Sequence, residues 1–381
     1  MKITEFKLYK VIPRWLLLKI TTDEGINGWG ELISGAKTKT VETALYEMGE
    51  KLIGKDPRHI EDHWQTMYRS FFRGGPVLLT VISGIEMALW DIKGRWLNVP
   101  VYELLGGKAR KKIQVYSWIS GKTDEEFASE AIARKQKGFR AIKILATNEL
   151  HYIDTYPKLE KVISRMAAIR NAVGNELEIG VDFHGRIHKG MAKLLIKELE
   201  VFHPMFIEEP LLPENGQYLK ELKASVNTPI ATGERLKTRW EYKDIISQGM
   251  VDIIQPDLSM VGGIFEAKKI SAMAESFDIA VAPHAPYGPI NLAASFQLDA
   301  CTPNVFIQEQ SLGMFYNQGA DLTDYVRNKK LFDYKDGFAE IPSGPGLGIE
   351  MDEEMLENRN LDDLGWTNPT WRNVDGTVTE W

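Results

Sequence analysis

The sequence predicts an α/β protein: a parallel (β/α) barrel with an α+β capping domain drawn from the N-terminal region and the C-terminal tail. Two observations carry this. Eight short apolar runs alternate with helical stretches between residues 112 and 330, at roughly the 25-residue spacing of one β-α unit. The residues before them have a different texture, β-rich runs first and helices after. With 381 residues, 44% of them apolar, the chain can bury a barrel core and still carry an attachment.

Taken in order, residues 6–11 and 16–22 read as strands, Asp23-Glu24-Gly25 as a turn, and 27–33 as a third strand. Residues 40–52, 60–70 and 83–97 read as helices, the last with Ile85, Ala88, Leu89 and Ile92 at helical spacing. Leu105-Gly106-Gly107 ends this unit, placing the capping domain at 1–111. Barrel strands are expected at 113–118, 141–145, 179–183, 205–207, 230–232, 253–255, 280–282 and 305–308, with helices such as 124–137 and 159–172 between them. Residues 333–341 read as a hairpin, and the segment 331–381 is expected to return to the capping domain.

Composition narrows the function classes. A net charge of −7 gives nothing that suggests a nucleic-acid or polyanion partner. No stretch of 18 apolar residues is present, so no membrane span is expected. The first residues, Met1 to Phe6, lack the apolar run of a secretory leader, and a single cysteine, Cys301, cannot form an internal disulfide; both suit the cytoplasm.

In a (β/α) barrel the reactive groups sit at the C-terminal ends of the strands. Six successive apolar runs here end in an ionisable residue: Asp182, Glu208, Glu234, Asp257, His284 and Glu309. Asp182, Glu208 and Glu234 recur at equal intervals, which places three carboxylates on neighbouring strands at one height. Converging carboxylates repel unless a cation lies among them, and an all-oxygen set suits a hard ion such as Mg²⁺. Asp257 and His284 fall on adjacent strands, where an aspartate fixes the tautomer of histidine and raises its basicity. His184 follows Asp182 by two residues and so emerges on the same side. The remaining histidines, at 59, 63, 151, 188 and 203, read as surface or packing residues.

The set Asp182, Glu208 in Ile207-Glu208-Glu209-Pro210, and Glu234 in Gly233-Glu234 resembles the ligand triad of the enolase superfamily, and Asp257 with His284 resembles the dyad of its mandelate racemase branch. Pro13-Arg14-Trp15, Arg73-Gly74-Gly75-Pro76, Tyr116-Ser117-Trp118, Asp182-Phe183-His184-Gly185-Arg186 and the tail from Trp371 to Trp381 extend the resemblance over nearly the whole chain, toward dehydratases of sugar acids. It implies a modified (β/α)₇β barrel, one Mg²⁺, and a homo-oligomer, often an octamer. The implied reaction removes the C2 proton of an aldonate and expels the C3 hydroxyl, giving a 2-keto-3-deoxy acid. Pairing a Lys or His base with Mg²⁺ on an enediolate is established chemistry of that superfamily. His284 would be the base, oriented by Asp257, and His184 the acid. Lys143 would contact the substrate carboxylate or enediolate, Glu309 would hydrogen-bond the enediolate oxygen if protonated, and Arg186 would touch either substrate or a neighbouring carboxylate. Leu145 stands where racemases of this branch carry a second lysine and where the dehydratase pattern has asparagine. Ala285 replaces a cysteine, Phe315 a histidine, and Ile187-His188-Lys189-Gly190 differs too. These departures bear on the sugar, which could be D-gluconate or its C4 epimer; isomerisation or cycloisomerisation on the same scaffold stays open. Substrate selection is expected to involve capping loops near Arg14-Trp15 and 71–75.

Overall fold

The computed structural model describes residues 1–70, 73–147 and 150–380. Phe71, Phe72 and Trp381 lie outside the described residues, so the expected loop at 71–75 is seen from Arg73 onward. Strands β1 (Ile3–Val11), β2 (Trp15–Thr22) and β3 (Asn27–Ile33) form an antiparallel meander. Helices α1 (Thr38–Glu50), α2 (Ile60–Arg69) and α3 (Pro76–Leu97) follow, then the short α4 (Val101–Leu104). Helix α3 begins at Pro76 rather than at 83. The apolar, partly β-branched run from Val77 to Ile82 hides its helical period, while Pro76 at the start loses no hydrogen bond. It packs directly on β3, and Gly30 makes that approach possible: a Cβ there would lie 1.9 Å from the Gly84 carbonyl oxygen.

The barrel strands are β4 (Lys112–Trp118), β5 (Ala141–Leu145), β6 (Glu178–Asp182), β7 (Phe206–Glu208), β8 (Ile230–Thr232), β9 (Ile253–Ile254), β10 (Ala280–Val281) and β11 (Gln308–Gln310). Each pairs in parallel with the next from β4 to β10, and β11 pairs in parallel with β4. Between them run α5 (Asp124–Gln136), α6 (Tyr156–Val173), α7 (Lys189–Leu199), α8 (Leu219–Ala224), α9 (Thr238–Ser247), α10 (Ile264–Glu275) and α11 (Pro289–Ala300), giving the (β/α)₇β order. The last strand is displaced from its expected position at 305–308. Val305 first bridges to Val281 of β10, and the chain then crosses to β4 for Gln308–Gln310. The barrel floor is a plug of Tyr116, Ala141, Phe206, Ala231, Ile253, Ala282 and Ile307, large rings meshing with alanines. Gly180 leaves room for the Phe206 ring, which a Cβ would approach to 2.8 Å.

The C-terminal segment corrects one expectation, because it does not return to the capping domain as a unit. The hairpin of β12 (Tyr334–Lys335) and β13 (Phe338–Glu340) forms, but β13 pairs antiparallel with β4 and so extends the barrel sheet. The free edge of β4 below its pairing with β5 and β11 offers the backbone groups that the hairpin satisfies. Helix α12 (Glu353–Arg359) does reach the cap: Glu353 pairs with Lys19 at 2.7 Å, and Glu357 meets Lys7 and Tyr9. The residues after it run to the mouth of the barrel.

Two buried carboxylates of the cap dock on barrel helices. Glu31 accepts hydrogen bonds from the amides of Gly288, Ile290 and Asn291, at 2.6, 3.2 and 2.9 Å, where α11 begins. Glu86 accepts from Ile264 and Phe265, at 2.7 and 2.9 Å, where α10 begins, and from Trp90 Nε1 at 2.8 Å. Helix N-termini present unpaired amides and a partial positive charge, which suits a carboxyl. No helix among the described residues is long and apolar enough to cross a membrane.

Candidate active site

Side chains two apart on a strand face the same way, so each barrel strand stacks residues upward from the floor. On β5, Ala141 lies in the plug, Lys143 above it, and Leu145 at the pocket wall. Lys143 is fully buried and its Nζ lies 2.7 and 2.8 Å from the two oxygens of Glu208 and 2.9 Å from Glu309. Burial opposes its charge, but Glu208 and Glu309 outweigh burial and hold the ammonium well above its ordinary range. Glu208 also accepts from Gln255 Nε2 at 2.7 Å. Glu309 accepts from Trp118 Nε1 at 2.5 Å and from the Ala285 amide at 2.8 Å. Burial alone would raise the Glu309 carboxyl, yet Lys143 and His284 bring it below the ordinary range. Lys143 thus opposes the protonated form in which Glu309 was expected to meet an enediolate oxygen.

Above this layer Asp182, His184 and Glu234 converge, each with a potential ligand atom within 4.8 Å of the others. Asp182 ends β6 opposite Glu208 in the register. Its Oδ1 accepts from the His184 amide at 2.7 Å, while its buried Oδ2 has no hydrogen-bond partner. Burial and then Glu208 push the Asp182 carboxyl well up. Glu234 Oε2 lies 3.0 Å from His284 Nε2, and its Oε1 3.7 Å from His184 Nε2. His284 Nδ1 lies 2.8 Å from Asp257 Oδ2, and Asp257 is fixed in turn by the Ser259 amide at 2.8 Å. Against the cost of burial, Glu234, Glu309 and Asp257 raise His284 well above its usual value. His184 goes the other way, to about 3, first through burial and then through Arg235 and Arg186, against Glu234.

The pocket over these groups holds about 560 Å³ and takes in Asp182, His184, Glu234 and His284. Arg186 lies on its wall and is buried, with Nε and Nη1 lacking hydrogen-bond acceptors and the Trp371 ring 3.9 Å from its guanidinium. Leu145 and Phe315, two of the residues that depart from the dehydratase pattern, also line it. His188 stacks on Tyr152, at 3.8 Å between rings, outside the pocket lining.

With this geometry in place, the chain can be set against known proteins. The N-terminal domain of the mandelate racemase / muconate lactonizing enzymes matches residues 12–106, and the enolase C-terminal domain-like family matches 126–355. The chain belongs to the mandelate racemase / muconate lactonizing enzyme family of the enolase superfamily. Curated proteins named D-galactonate dehydratase, from Ralstonia pickettii and Cronobacter sakazakii, are each 48% identical to it over the full length of both chains. A mandelate racemase/muconate lactonizing enzyme from Jannaschia sp. superposes with a TM-score of 0.87 at 30% identity, covering 95% of this chain and 98% of that one. An enolase superfamily member from Salmonella Typhimurium gives 0.86 at 31%, covering 93% and 97%.

Enolase superfamily members are metal-dependent. The residues present fit a cation: Asp182 offers a buried oxygen without a donor, and Glu234 faces it across the same small space. Two site residues do not stand out among the ionisable strand ends. Gln255 reads from sequence as the end of an apolar run, although its side chain holds Glu208. Arg235, which follows Glu234 directly, places Nη2 3.0 Å from His184 Nδ1 and 3.0 Å from the His184 carbonyl oxygen. Its only sequence signal is its position after a strand-end carboxylate.

Proposed function

We propose that this chain is a Mg²⁺-dependent hydro-lyase that converts D-galactonate to its 2-keto-3-deoxy acid. The observation that carries the chemistry is the placement of His284 and His184 on the two oxygens of Glu234, one backed by Asp257 and the other by Arg235. The choice of sugar rests on the D-galactonate dehydratases that match the chain throughout.

Asp182 and Glu234 would hold the metal, with Glu208 completing the set opposite Asp182. So bound, Mg²⁺ would supply positive charge for the substrate carboxylate and would offset the Glu234 charge that raises His284. His284, with Nδ1 engaged by Asp257, takes the C2 proton on Nε2. The electron pair of the C2–H bond forms the C1–C2 double bond of an enediolate. That pair then moves between C2 and C3 as the C3–O bond breaks. The leaving hydroxide takes a proton and departs as water, and the enol tautomerises to the 2-keto acid. His184, which lines the pocket with Nε2 3.7 Å from Glu234, would give that proton from its imidazolium form. Lys143 and the Glu309 cluster set the charge beneath the reacting carbons. Leu145 occupies the wall where a second base would be required for racemisation and can neither take nor give a proton. Residues 1–111, 112–330 and 331–381 act in this reading as cap, catalytic barrel and C-terminal segment of a cytoplasmic homo-oligomer.

The test is turnover of a panel of aldonic and aldaric acids with Mg²⁺, detecting 2-keto-3-deoxy product, with EDTA and His284→Asn as controls. Selective turnover of D-galactonate, lost in both controls, is the expected result. Turnover of D-gluconate instead keeps the mechanism and replaces the substrate. Epimerisation at C2 without loss of water would sink the elimination.

A further inference from the structure

The C-terminal tail reaches the pocket at three arginines of its wall. Trp366 lies 5.3 Å from the Arg14 guanidinium, Trp371 covers Arg186 at 3.9 Å, and Glu380 pairs with Arg235 Nη1 at 2.9 Å. Asn368 and Glu380 themselves line the same 560 Å³ space as His184 and His284. Arg14 is buried like Arg186 and keeps an Nε–H without an acceptor, its Nη2 being used by the Pro286 carbonyl oxygen at 3.2 Å. Buried N–H groups left open on a pocket wall call for acceptors from a ligand, and the hydroxyls of a polyol supply them.

We infer that residues 366–380 form the distal wall of the substrate pocket and that Glu380 makes the site selective for acids with a single carboxylate. This deepens the dehydratase reading and rests on it for the orientation of substrate. The reacting carboxylate belongs at Asp182, Glu234 and Lys143, so the far end of the sugar chain lies toward the arginine wall. Three arginines there would by themselves attract a second carboxylate. Glu380 changes the balance: it neutralises Arg235 and sets an anionic oxygen where a second carboxylate would lie, and Glu214 at the rim lowers the wall's positive charge further. A terminal hydroxyl donates to Glu380 where a terminal carboxylate is repelled. Trp366 and Trp371 hold Arg14 and Arg186 through their ring faces, leaving the N–H edges for the sugar.

The experiment compares D-galactonate with galactarate, which carries a carboxylate in place of the terminal hydroxymethyl group. Binding is measured by calorimetry on the full-length Mg²⁺-loaded protein in a His284→Asn background, and turnover on the otherwise wild-type chain. Glu380→Gln is expected to narrow the preference for D-galactonate about tenfold or more. Trp371→Ala, which leaves the carboxylate in place, is expected to weaken both acids alike and to raise KM more than it lowers kcat. An unchanged binding preference in Glu380→Gln overturns the selective wall even if the enzyme dehydrates D-galactonate. Failure of the wild-type chain to dehydrate any aldonate overturns the dehydratase reading, while the binding ratio still decides the wall. Absence of binding by either acid overturns both.

Discussion

Replacing Lys143 by methionine probes the charge balance beneath the site. Methionine keeps the unbranched apolar stem and deletes the ammonium. The Nζ lies within 2.9 Å of three carboxylate oxygens on Glu208 and Glu309, and all three residues are fully buried. Removing one partner of such a group leaves buried charge uncompensated, a loss of about 3–5 kcal/mol. Two carboxylates then face one another, and the cheapest relief is for one of them to take a proton, so the loss should shrink as pH falls. The assay is urea unfolding followed by circular dichroism, in EDTA, for both chains at pH 7 and pH 5. A loss at pH 7 below ~1 kcal/mol, the size of an exposed ion pair, would refute the reasoning. So would a loss that grows toward pH 5.

Three further outcomes follow from the geometry. Asp257→Asn should lower turnover on the order of 10²-fold or more and His284→Asn still further, since the aspartate acts through the histidine; solvent deuterium exchange at C2 of substrate separates proton removal from water loss. Burial pushes the Glu86 carboxyl up to about 8, so its stabilising contribution is fully present below the unfolded value near 4.5 and is lost as pH rises through 8. The stability difference between wild type and Glu86→Gln should accordingly fall from pH 5 to pH 8.5, and a difference that rises over that range contradicts the assignment. Gly30→Ala should cost about 1–3 kcal/mol or more through overpacking of β3 against α3, read as a lowered Tm, whereas the same change at solvent-facing Gly216, with nothing near its missing Cβ, should leave Tm unchanged.

The barrel and the ionisable residues gathered at its mouth were legible because two local signals coincide. An apolar run of a few residues marks each strand, and an ionisable residue marks its exit, as at Asp182, Glu208, Glu234 and His284. The position of β11 was not legible, since Val305 and Gln308 belong to one apolar run but pair with different neighbours. Nor was the setting of Glu309. Strand order brings Lys143 and His284 beside it, a convergence that no single segment contains. Arg235, Gln255 and Glu380 were missed for a related reason. Each acts through a partner remote in sequence, and a polar residue next to a strand end looks the same whether it faces solvent or another side chain. The helical start of α3 was concealed by β-branched residues whose burial on several sides overrides their local preference.

The docking of Glu31 and Glu86 bears on how such enzymes can be recombined. The linker before β4 looks like a natural place to join the cap of one family member to the barrel of another. Yet Glu31 closes the start of α11, the helix that follows the His284 loop, and Glu86 closes the start of α10, after Asp257. A chimera joined at that linker inherits working interfaces only if its cap brings both acids and its barrel presents both sets of amides. Cap and barrel are thus separate in sequence but matched as a pair, and a whole-cap exchange must carry both docking contacts with it.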